Sequence, residues 1–156
     1  MSRILGIDPG TGICGFGVIE GRQVIDYGVI STPPHTPLAD RLLDIYESLH
    51  EIIQEDRPEV MAIEKLFFKQ NITTGISVAE ARGVCLLVAK QCGLPIYEYA
   101  PNQIKMAITG DGHAHKQQIQ EMVRLHFNLK TTPQPDDAAD ALAIAIVHSF
   151  ITKTDV

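Results

Sequence analysis

Arg3-Ile4-Leu5-Gly6-Ile7-Asp8-Pro9-Gly10-Thr11-Gly12 is the stretch that decides how this chain folds. Its apolar run is too short for a helix and stops at a Pro-Gly turn, so Arg3 to Asp8 reads as a buried strand with a carboxylate at its C-terminal end. Working outward, Cys14 to Glu20 and Gln23 to Ile30 are two further strands around Gly21-Arg22, a hairpin-length connection that favours antiparallel pairing. From Leu38 to about Gln54, apolar residues such as Leu42, Ile45, Leu49 and Ile52 recur at helical spacing, and Pro58 then interrupts. Val60-Met61-Ala62-Ile63-Glu64 is a second short apolar run that ends on a carboxylate. Strand, crossover helix, strand order normally gives parallel neighbours, because the crossover carries the chain back to the edge where it began.

The remainder alternates helix and strand, then turns helical. Ile76 to Cys92 reads as a helix, with Gly93 placed for a left-handed cap and Pro95 soon after. Ile96 to Tyr99 is another strand, and Pro101 to Thr109, Lys116 to Phe127 and Ala138 to Phe150 are helices, the last preceded by Pro133, Pro135 and Asp136. The predicted class is α/β: one domain over residues 1–156, with a mixed sheet covered by helices on both faces.

Apolar residues make up 45% and charged residues 21% of the 156-residue chain, a globular profile with enough length for one core. No segment approaches the length of uninterrupted apolar sequence that a membrane span requires, and the start Met-Ser-Arg-Ile-Leu-Gly-Ile-Asp lacks the shape of a signal peptide. A cytoplasmic address and no membrane partner are therefore expected. Cys14, Cys85 and Cys92 show no zinc-site spacing and are expected to be reduced core thiols. The net charge of −6 argues against a protein that coats nucleic acid. Total charge is silent on arrangement, however, and Lys65, Lys69, Asn71, Arg82 and Lys90 gather between the fourth strand and the long helix.

The chemistry lies in the acids. Asp8 and Glu64 close two strands predicted to be parallel, and side-by-side strands would bring both carboxylates out at one sheet edge, where α/β sites form. Asp137 and Asp140 are three apart and share a helix face, while Ala138, Ala139 and Ala141 let that helix approach the sheet. Carboxylates gathered in this way repel by roughly 4 kcal/mol for a pair about 4 Å apart at an effective dielectric of 20, and cations must offset this. An all-oxygen set selects hard ions, Mg²⁺ before zinc. Two such ions about 3.5 to 4 Å apart are the usual device for phosphodiester hydrolysis. Singly, each acid has a plainer explanation: an Asp before Pro-Gly forms turns, a Glu at a strand end is solvated, and Asp136 suits a helix N-cap as well as a ligand. Their combination favours phosphoryl transfer to water.

Gly6-Ile7-Asp8-Pro9-Gly10-Thr11, Ala62-Ile63-Glu64 and Asp137-Ala138-Ala139-Asp140-Ala141-Leu142-Ala143 resemble, in order and spacing, the motifs of the RuvC Holliday-junction resolvases. The resemblance runs from about residue 3 to 150. It implies an RNase H-like fold, a five-stranded mixed sheet flanked by helices, in a homodimer that nicks both sides of a four-way DNA junction. It implies Mg²⁺, two ions per subunit with Mn²⁺ as a substitute, held by Asp8, Glu64, Asp137 and Asp140. Phe67 matches an aromatic that stacks on an unpaired base near the crossover, with a core position as the alternative for Phe67 and Phe68. Lys105 and Lys116 match lysines near the scissile phosphate, Lys116 as a catalytic cation and both as DNA contacts, with Lys69 and Arg82 added as DNA contacts. The helix from Ile76 to Cys92 matches the family's dimer contact, although its Val78, Ala81, Cys85, Val88 and Ala89 suit a core equally. Glu80 stands where the family often has an uncharged amide, and His113 and His115 receive no role. The junction-binding protein RuvA and the motor RuvB are the implied partners.

Three other functions compete. A related RNase H-like nuclease would cut RNA or hybrids instead. An actin-like ATP-binding fragment would share the Asp-x-Gly-Thr turn, but a second phosphate motif and the length for a second lobe are missing here. A non-catalytic junction binder would have no need of the full set of acids.

Overall fold

A computed structural model describes residues 2–66 and 72–154. Five strands and five helices follow one another as β1 (Arg3–Asp8), β2 (Ile13–Glu20), β3 (Gln23–Ser31), α1 (Leu38–Asp56), β4 (Val60–Glu64), α2 (Ile72–Gln91), β5 (Ile96–Tyr99), α3 (Pro101–Thr109), α4 (Lys116–His126) and α5 (Asp136–Thr154). The sheet order is β3-β2-β1-β4-β5, with β1–β2 and β2–β3 antiparallel and β1–β4 and β4–β5 parallel. This is the mixed sheet expected from the element order.

Strand parity divides the core in two. Ile4 of β1, Ile19 of β2 and Val60 and Ala62 of β4 face one side, where they pack with Ile104 of α3, Val123 of α4 and Leu142 of α5. Leu5, Ile7, Val18, Met61 and Ile63 face the other, against Ile45 and Leu49 of α1 and Cys85 and Val88 of α2. Successive strand residues alternate faces, so Asp8 shares its side with Ile4 and Gly6, and Glu64 shares its side with Ala62. Both acids consequently turn toward the α5 side of the sheet.

On that side α5 lies unusually close. A Cβ on Gly6 would sit 2.0 Å from the Ala141 carbonyl oxygen, and one on Gly17 would sit 2.6 Å from Leu142 Cδ2. Only glycine on the strands, met by Ala138, Ala139, Ala141, Ala143 and Ala145 on the fully or almost fully buried face of the helix, permits this approach.

Element ends differ from expectation by a few residues. Helix α2 begins at Ile72 instead of Ile76, one turn earlier, and α5 runs to Thr154 instead of Phe150. Thr73, Thr74 and Gly75 are weak helix formers, so propensity alone places the start too late. An 18-residue window of α2 averages a hydropathy of 1.5, long and apolar enough by length and composition to cross a membrane, although Glu80 and Arg82 interrupt its apolar run. In the fold, that apolarity is used on Ala81, Cys85, Val88 and Ala89, which are buried against the sheet and α1. Cys14 and Cys85 are buried free thiols 4.0 Å apart, and Cys92 is half-buried.

Candidate metal centre

Parallel pairing of β1 with β4 ends at Ile7↔Ile63, so Asp8 and Glu64 stand side by side, one step beyond the last pair. Across the antiparallel ladder Asp8 faces Gly15, where a Cβ would lie 2.1 Å from the Asp137 carbonyl oxygen. The first turn of α5 therefore occupies the space beside Asp8 that a side chain on β2 would otherwise fill. One carboxylate oxygen from each of Asp8, Asp137 and Asp140 lies within 4.8 Å of the others.

Bare, this cluster is electrostatically frustrated. Burial pushes the Asp8 carboxyl up to about 9, reinforced by the charges of Asp140, Glu64 and Asp137 and by a hydrogen bond shared with Asp137. Burial also raises Asp140, against which the charge and hydrogen bond of Lys116 work. Lys116 Nζ lies 3.5 Å from Asp140 and 3.6 Å from Asp136. Although burial opposes the charge on this lysine, Asp140, Asp136 and Asp137 outweigh it and hold the proton more tightly than usual. A set of hard oxygens that cannot all ionise comfortably is the donor chemistry that Mg²⁺ or Mn²⁺ fits, and the residues present fit such an ion.

Glu64 stands outside the group of three, yet its charge acts on Asp8. It borders two clefts. One is lined by Asp8, Pro9, Lys65 and Arg82, and the other by Lys105, His115, Lys116 and Asp140. The expected cations thus surround the acids, but on different terms. Lys105 and Lys116 line the second cleft, whereas Arg82, with a side chain 14% exposed, donates Nε to the Glu64 carbonyl at 3.2 Å and pairs through Nη2 with Glu98 at 2.9 Å. Phe67, Phe68, Lys69 and Asn71 lie outside the described residues.

Asp136 is the first residue of α5 itself, with its carboxylate turned to Lys116, and takes no part in the group of three. His115 precedes α4, its backbone N–H donating to Gln118 Oε1 at 2.8 Å. The loop before it is stitched by Asp111 Oδ1, which accepts from the His113 N–H at 2.9 Å.

Sequence reasoning missed Gly6, Gly15 and Gly17, which share strand parity with Asp8 or face it across the ladder, a relation that only the register of β1 with β2 reveals. It also missed the polar knot beneath the Asp8 turn, where Thr11, Thr32, Arg41 and Ser77 meet. Those four are spread over the chain, and no local pattern announces their meeting.

Residues 4–148 match the family described as Crossover junction endodeoxyribonuclease RuvC. A protein of that name from Desulfitobacterium hafniense is 55% identical over 150 residues, covering 94% of this chain and 91% of the relative. Another from Chloroflexus aggregans is 49% identical, covering 97% and 95%. Among solved structures, T. thermophilus RuvC in complex with Holliday junction substrate superposes with a TM-score of 0.93 at 36% identity, covering 99% of this chain and 97% of that one.

Proposed function

Since the chain belongs to the RuvC family and is an endodeoxyribonuclease, we propose that it resolves four-way DNA junctions by paired, symmetric, Mg²⁺-dependent nicks. The single observation that carries this reading is the convergence of Asp8, Asp137 and Asp140 at the end of β1, with Glu64 beside them.

Asp8, Glu64, Asp137 and Asp140 would hold the ions, two per subunit, with Mn²⁺ able to substitute. Bound there, divalent ions supply an activated water and offset charge on the leaving oxygen. The protein's own part is positional and electrostatic. Asp137 and Asp140 are fixed by the helix that carries them, and Lys116 limits the repulsion between Asp136 and Asp140 while offering a cation beside the scissile phosphate. Lys105, across the same cleft, supports the phosphate position, while Arg82, on the Asp8 side, holds the Glu64 strand end. Phe67 and Lys69 extend the reading to base stacking and backbone contact near the crossover.

Two nicks at symmetric positions need two sites, and α2 offers a surface for a second copy. Ile72, Ile76 and Leu87 are 71%, 51% and 52% exposed, an apolar strip of the kind that association covers. We assign the homodimer to this face, cooperation to RuvA and RuvB, and the work to the cytoplasm in keeping with a DNA-processing family.

The test is incubation of the purified protein with a mobile four-way junction, linear duplex and RNA-containing analogues, with and without Mg²⁺, followed by nick mapping. Paired symmetric nicks in the junction alone are expected, and Asp140→Asn should bind the junction normally but cut at less than about a hundredth of the wild-type rate, at or beyond the upper end of outer-shell losses. Preferential cutting of the RNA-containing substrates, or full activity of Asp140→Asn, would overturn the assignment.

A further inference from the structure

Helix α2 touches the chain just past both acid-bearing strand ends. Thr11, buried three residues past Asp8, donates its hydroxyl to the Ser77 carbonyl at 2.7 Å and also meets the Ser77 hydroxyl. On its other side, the Thr32 hydroxyl donates to the Thr11 carbonyl at 2.5 Å and accepts from Arg41 Nε at 2.9 Å. Further along α2, Arg82 holds the Glu64 carbonyl and Glu98 of β5 together. The Asp8 turn is therefore clamped between α1 and α2, and the end of β4 is tied to the same α2 and to β5.

We propose that Thr11 and Arg82 are positioning residues, through which α2 braces the Asp8 turn against the Glu64 strand end and so sets the site's affinity for divalent cations. This rests on the reading of the acids as metal ligands. The physical need is clear from the pairing. Beyond Ile7↔Ile63 no β1–β4 ladder pair holds the two acids in register, and Glu64 lies outside the convergent aspartates. Asp8 pairs outward with Gly15 of β2 and Glu64 outward with Tyr99 of β5, so a tie between the two acid-bearing ends must come from outside the β1–β4 ladder. Arg82 supplies one through a planar fork that reaches a carbonyl and a carboxylate at once, which a lysine's single point charge cannot reproduce. With Nε on a backbone carbonyl, Nη2 on the Glu98 carboxylate and little of its own side chain exposed, Arg82 is better built to hold Glu64 than to neutralise a phosphate.

The experiment measures Mn²⁺ binding to the full chain by calorimetry without DNA, alongside junction affinity across a salt series without divalent ions. Thr11→Val and Arg82→Gln should weaken Mn²⁺ binding by about 10- to 100-fold, the range for outer-shell losses, with junction affinity and its salt slope unchanged. Thr11→Ser should restore binding, whereas Arg82→Lys should not. Should Arg82→Gln fail to fold, Glu98→Gln takes the charge from one partner of Arg82 and leaves only a weaker amide acceptor, and it should lower Mn²⁺ affinity in the same direction. Unchanged Mn²⁺ affinity in Thr11→Val or Glu98→Gln overturns the brace. So does an Arg82→Gln protein that keeps its Mn²⁺ affinity but loses junction affinity and about one unit of salt slope, the signature of a phosphate contact. A wild-type protein that binds Mn²⁺ yet leaves junctions uncut would defeat the proposed function and leave the brace standing.

Discussion

The carbonyl oxygen of Asp137 sits where a side chain on Gly15 would begin, 2.1 Å from the place of its Cβ. Because Gly15 is also the residue paired with Asp8, one small position on β2 governs how near the first turn of α5 comes to the end of β1. Gly15→Ala should push that turn outward and cut cleavage by about 100-fold, as displacements near 1 Å do in positioned sites. Gly6→Ala, deeper in the same seam, should cost about 1–3 kcal/mol of stability through overpacking. Nick rates and denaturant midpoints for the pair of variants check both halves.

Without metal, Asp8 makes stability depend on pH. Its carboxyl is raised from an ordinary 3.8 to about 9, so the folded state binds a proton that the unfolded chain has released. The associated stability is complete below about pH 4 and is lost as pH rises through about 9. Divalent ions should reverse this trend by replacing the proton. Thermal scans with Mg²⁺ should therefore show a larger rise in Tm at pH 8.5 than at pH 5, and an equal rise at both would count against ligation by Asp8.

His148 works in the opposite direction. It is buried in α5, its Nδ1 lies 2.5 Å from the Tyr99 hydroxyl and its ring packs on Tyr97, with centroids 4.6 Å apart. Burial lowers its pKa below the usual 6.5, so its contribution to stability is complete above that value and is lost as pH falls through the folded one. Compared with His148→Asn, the wild type should lose more Tm between pH 7.5 and pH 5. Parallel slopes would mean that His148 does not carry the acid sensitivity.

The apolar strip on α2 gives a prediction about assembly. Ile76→Glu and Leu87→Glu place charge on exposed positions, so the monomer fold should survive while the proposed dimer dissociates. Light scattering after size exclusion should report half the wild-type mass, with single nicks replacing paired ones on junction DNA.

Much of this was legible beforehand, for identifiable reasons. Asp8 and Glu64 each close a short apolar run, so strand alternation and the crossover rule together placed them at one edge. Asp137 and Asp140 followed from helical spacing. The closeness of α5 was only half legible: its alanines were noticed, but the matching Gly6, Gly15 and Gly17 were hidden until the register of β1 with β2 was known. Asp136 was open between a helix N-cap and a ligand, because its partner Lys116 comes from a separate helix. Arg82 looked like a free cation because nothing local reveals that Glu64 and Glu98 lie in adjacent strands within its reach. Long-range polar contacts leave no periodic trace, and these are what sequence patterns could not show.

At Gly6 and Gly15 the seam between α5 and the sheet holds no side chain that could be resized. In most enzymes, exchanging a leucine for a valine under a catalytic helix shifts it by fractions of an ångström; here backbone rests almost on backbone, and that adjustment does not exist. Any adjustment of the site to different substrates must then come from the rim, in α2, α3 and the loop before α4, while the spacing of Asp8 and Asp137 stays fixed.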